Sequence, residues 1–191
     1  GTEFKGLFQV KLDKEYWSST EAKDKNLVDK LRPLAGVTFE LLLARENANG
    51  LLEAVTGSGA FSTEFVTGCE NENGTSAGYG VSITVSLETL YTKNGGADNR
   101  DNPVKLDVDE NGQPFYEADF ILREKDYPIN MVYMQEQYAL HVKAVKNAQG
   151  ADYVTVVDDY LNKDGQDNAI KNILGEMTYL TVAKYVDGER Y

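Results

Sequence analysis

Phe120-Ile121-Leu122-Arg123-Glu124-Lys125-Asp126-Tyr127-Pro128 is the stretch on which the reading of this chain turns. Apolar residues lead into a lone glutamate, and a proline follows four positions later. On a strand, side chains alternate between faces, so Phe120, Leu122 and Glu124 share one. Phe120 and Leu122 belong in a core. Glu124 is then carried into apolar surroundings, where an ionised carboxylate is costly. The segment therefore predicts a strand whose glutamate has a specific task.

Working outward, the same alternation recurs along the chain. Phe8, Val10 and Leu12 predict a first strand, and Val37 to Leu43 a strong one. Asn47 to Gly50 is a hairpin signal before a strand at 51–56, and another strand follows at 60–66. Val81, Ile83, Val85 and Leu87 alternate cleanly. Val104 to Val108 leads through the Asn111-Gly112 turn into Phe115 to Glu124. Tyr138, Leu140 and Val142, then Val154 to Val157, then Met177 to Val186 complete the strands. Leu27, Val28 and Leu31 suggest one short helix. Ile170, Ile173 and Leu174, capped by Asp167, suggest a second. Segments 67–78 and 93–102 read as polar loops. About ten strands at this spacing predict an all-β sandwich of the Ig-like type. A single elaborated domain over 1–191 is expected.

Composition limits the function classes. The chain has 191 residues and is 41% hydrophobic, enough for a real core. A net charge of −12 argues against nucleic acid or anionic membranes as partners, because both need a basic face. Twelve tyrosines and only 4 prolines favour strands. Cys69 and His141 are single representatives of their types, so neither an intrachain disulfide nor a zinc site is expected. No cofactor or metal is expected. No apolar run approaches membrane-helix length, so membrane insertion is not expected. No signal peptide is visible, which leaves open that the chain begins after one. A cysteine-poor, acidic, tyrosine-rich β protein suits a bacterial cell surface.

Two segments resemble a known family. Pro33-Leu34-Ala35-Gly36-Val37-Thr38-Phe39-Glu40-Leu41 resembles the P-L-A-G-x-x-F-x-L segment of Cna-B-type, prealbumin-like domains of Gram-positive adhesins and pilins. Residues 120–133 resemble the E box of those pilins, Y-x-L-x-E-T-x-A-P-x-G-Y. Phe120 stands for the first Tyr, Leu122, Glu124 and Pro128 match, and Asn130 stands where Gly is usual. Lys125 and Tyr127 depart from the pattern, and Tyr133 falls two residues late. Asp109 to Phe115 looks like the turn that precedes the E box. Residues 57–103 look like an insertion relative to a minimal module.

The resemblance implies self-crosslinking rather than turnover of a substrate. In such domains a first-strand Lys attacks an Asn carboxamide on the last strand, beside a buried acid. Glu124 matches the acid. Lys11 matches the family's K-x-D start, with Asp13 two residues on. Lys11 has the opposite parity to Phe8, Val10 and Leu12, whereas Lys14 has theirs but lies outside the motif. The acceptor Asn is unidentified, since Lys184 occupies the expected place and Asn147 and Asn162 lie on other segments. Glu124 as an ordinary carboxylate bonded to backbone stands as the competing reading.

Other residues offer less. Asp107-x-Asp109-x-Asn111-Gly112 matches half of an EF-hand loop, but Ala118 stands where the bidentate Glu is required. An acidic β-turn accounts for it, and Asp98, Asp101 and Asn102 read similarly. Cys69 lacks the nearby Gln of a thioester. His141 lies opposite in parity to Leu140 and Val142 and reads as a solvated strand residue. Trp17 reads either as an exposed contact or as packing on the sheet edge. A glycosidase needs two acids at fixed separation, and with 31 acidic residues the sequence selects no pair. The expected role is a structural or adhesive module of a surface protein or pilus. Its partners would be other surface or pilus subunits, or a host matrix protein or glycan. A ligand-binding adhesin head using loops in 57–103, and a Gram-negative fimbrial or lipoprotein domain, are the alternatives.

Overall fold

A computed structural model describes residues 4–68, 81–126, 131–132, 137–146, 154–159 and 169–174. These residues form two β-sheets with a few short helices, so the fold is all-β. The smaller sheet is built on β1 (Leu7–Trp17), a strand long enough to serve two sets of partners. Its first half pairs antiparallel with β6 (Val81–Ser86). Its second half pairs antiparallel with β2 (Leu31–Pro33) and parallel with β12 (Ala169–Leu174). β12 also meets β9 (Met131–Val132).

The larger sheet is built on β8 (Pro114–Asp126). On one side lies β10 (Gln137–Val145), followed by β11 (Val154–Asp159). On the other side, β7 (Lys105–Val108) pairs with the start of β8 and β3 (Thr38–Glu46) with its end. β4 (Leu52–Ala54) and β5 (Ser62–Val66) both pair with β3. The segment read as an insertion thus supplies β5 to one sheet and β6 to the other.

One core joins the two sheets. Phe8 and Val85 come from the smaller sheet, and Phe39, Leu41, Leu43, Phe120, Leu122, Leu140 and Val142 from the larger. Their alternation along each strand is what directs them inward. A second, smaller cluster of Leu42, Ala44 and Ile121 lies on the opposite face of β3 and β8. Trp17 is buried against Ala22 and Leu31, so it is packing rather than an exposed contact.

Three local expectations are corrected. Residues 169–174 form a strand, not a helix. Ile170, Ile173 and Leu174 carry helical spacing, and the parallel ladder with β1 overrides it. A helix, α2 (Leu87–Lys93), ends the alternating run of β6 and occupies the start of the expected polar loop. Ser86 caps it by accepting from Thr89 N at 3.3 Å, and Leu87 and Leu90 cover the core. The helix expected at Leu27, Val28 and Leu31 is also corrected: Val28–Lys30 form only a 3-10 turn and Leu31 begins β2, while the helix that does form, α1 (Thr20–Asp24), lies before them and is capped by Ser19. The strand expected at Met177 to Val186 lies outside the described residues. No helix among the described residues is long and apolar enough to cross a membrane.

Candidate functional site

The inward face of β8 runs Phe120, Leu122, Glu124, and all three are buried; Glu124 is 2% exposed. Arg123 points the other way, and its guanidinium holds Glu40 of β3 at 2.7 Å. Glu124 is thus the carboxylate on the core side. It stands in register opposite Phe39, which is fully buried.

On the facing sheet, Phe8 and Lys14 of β1 are both buried, and Lys14 has no solvent exposure. A buried lysine is as unusual as a buried glutamate, because both charges lose their hydration. Lys14 Nζ donates to the Glu15 carbonyl at 3.4 Å.

Ring contacts fix how the two strands run past one another. Phe4 packs on Tyr116 at 5.5 Å and Phe8 on Phe120 at 5.0 Å between ring centroids. A step of four residues along one chain matches a step of four along the other. The two segments therefore run in the same direction across the core. Beyond the Phe8–Phe120 contact, β1 continues to Lys14 and β8 continues to Glu124. The buried amine and the buried carboxyl belong to the same end of the core, on opposite sheets.

The Pro33-to-Leu41 segment closes that end. Leu34 N donates to the Lys14 carbonyl at 2.8 Å, which ties the segment to the smaller sheet. Gly36 turns at φ 82°, in the left-handed region that glycine tolerates. Val37 N then donates to Thr67 Oγ1, and Thr67 Oγ1 to the Leu34 carbonyl, each at 3.0 Å. The chain continues as β3, where Phe39 lies beside Glu124. The segment crosses from one sheet to the other, and both resemblance motifs converge on one end of the core.

β12 brings a third residue type to this end. In its parallel register with β1, Ile170 pairs with Lys14 and Asn172 with Tyr16. Asn172 therefore lies two residues along β12 from the register partner of Lys14. No reading of the sequence pointed to it, because 170–174 was expected to be helical. Its I-x-N setting (Ile170-Lys171-Asn172) was the signal available. Lys11 lies on β1 opposite Ser82, at the parity opposite to Phe8 and Lys14. Its side chain lies outside the described residues, as do Asn147, Asn162, Lys184, Pro128, Asn130 and Tyr133.

The other candidates fall elsewhere. Asp109 Oδ1 accepts from the backbone of Asn111 and Gln113, both at 2.9 Å, so it builds the β7–β8 turn. Asn99 and Asn102 bind backbone carbonyls of the 91–96 segment and order the second acidic loop. No group of three or more His, Cys, Asp or Glu among the described residues is arranged to hold a metal ion. Cys69 lies outside the described residues.

No family model matches the chain, and no curated protein and no solved structure matches it.

Proposed function

We propose that this chain is a structural module of a Gram-positive surface protein or pilus, locked by an amide between Lys14 and Asn172, with Glu124 as the assisting acid. The observation that carries this reading is the burial of Lys14 and Glu124 at one end of a shared core. The register of β12, which brings Asn172 alongside the strand of Lys14, supports it. So does the likeness of residues 33–41 and 120–128 to Cna-B-type domains.

The chemistry balances without a cofactor. The Lys14 Nζ lone pair attacks the Asn172 Cγ carbon and forms a new C–N bond. The old C–N bond breaks, and its nitrogen leaves as ammonia. Glu124 relays the proton from the attacking nitrogen to the departing one. The folded chain holds the groups together, and this proximity replaces an encounter in solution. The product joins the first strand to the last described strand, so a force applied along the chain meets a covalent bond rather than a hydrogen-bonded ladder.

Intact mass under denaturing conditions tests the reading. A mass one ammonia below the sequence value supports it, and the full sequence mass overturns the crosslink.

A further inference from the structure

On the outer face of the larger sheet, His141 of β10 sits between two carboxylates of β8. Its Nδ1 lies 2.8 Å from Asp119 Oδ1 and its Nε2 lies 2.7 Å from Glu117 Oε2. A neutral imidazole has one N–H and one lone pair. With a neutral ring, one of these short contacts would set acceptor against acceptor. With an imidazolium, both nitrogens donate to carboxylates, and both bonds are charge-assisted.

We propose that His141, clamped by Glu117 and Asp119, is a pH-responsive latch that fastens β10 to β8 while its ring is charged. The two carboxylates lie on opposite sides of the ring, so a single metal ion cannot gather all three groups.

The surrounding charges are mixed. On β10, Lys143 shares the outer face and stacks over Phe115 at 4.3 Å. On β7, Lys105 stands opposite Glu117 and pairs with Asp107. On β11, Asp158 holds the register position opposite His141. On β3, the uncharged Ala44 faces Asp119. Partial burial is the strongest single influence on the ring and opposes its charge. The hydrogen bonds to Asp119 and Glu117, with their charges, together outweigh it and raise the His141 pKa above its ordinary 6.5.

A raised folded-state pKa fixes the sign. The latch contributes fully below 6.5, and its contribution is lost as pH rises through the folded-state value. His141 is the chain's one histidine, so an untagged sample gives a single imidazole signal by NMR. The expected result is a titration midpoint above 6.5 that falls in both Glu117→Gln and Asp119→Asn. A residue that merely fills space would not respond to both substitutions. A midpoint at or below 6.5, or one indifferent to either substitution, overturns the latch. In urea titrations the unfolding midpoint of the parent chain should drop across this pH range, and that of His141→Gln should drop less. Equal drops would also overturn it.

Discussion

Lys14 and Glu124 lie buried on opposite sheets at the same end of one core, each beyond the Phe8–Phe120 ring contact on its own strand. Two ionisable side chains withdrawn from water are expensive unless the fold uses them together. Their joint burial, not either one alone, is the feature that needs a chemical explanation.

Exchange of the two candidate lysines separates the motif from the geometry. Lys14→Met keeps the length of the buried stem and removes the nucleophile, so the mass should return to the full sequence value. Lys11→Met should leave the mass one ammonia short. The reverse pattern, read by mass spectrometry of the two purified variants, would assign the nucleophile to Lys11.

Glu124→Gln preserves shape and removes the proton relay. The crosslink should form far more slowly or not at all, which a time course of intact mass after refolding would show. A crosslink of this span is worth about 5 kcal/mol through restriction of the unfolded chain. The uncrosslinked variant should therefore unfold at markedly lower denaturant, and a variant that matches the parent midpoint would speak against the bond.

Thr67→Val tests the sheet-crossing segment. The Thr67 hydroxyl accepts from Val37 N and donates to the Leu34 carbonyl, and Thr67 is buried. Valine fits the space but orphans both backbone groups. A loss of about 1–3 kcal/mol is expected from equilibrium unfolding.

Much of this was legible in the sequence, because alternation is a strong signal wherever one face is buried. Phe120, Leu122 and Glu124 could be assigned to one face from parity alone, and Lys14 shared the parity of Phe8. Two things were not legible. Residues 169–174 carry apolar spacing that suits a helix, and the long-range pairing with β1 overrides it. Asn172 became a candidate through that long-range register, which no local window contains. The His141 clamp depends likewise on which residues of β8 lie beside β10, a matter of register between strands that alternation within either strand does not reveal.

Phe120→Ala probes the core itself. Phe120 is fully buried between the rings of Phe8 and Phe61. Truncation should cost about 3–5 kcal/mol by thermal or urea unfolding. A smaller effect would mean that the ring contacts do not hold the two sheets in register across the core.

The most direct test of the central claim is the intact mass of the parent chain, denatured, followed by peptide mapping. A mass one ammonia below the sequence value, with a branched peptide joining Lys14 to Asn172, is the predicted result. A full sequence mass, or a branch between other residues, would contradict it.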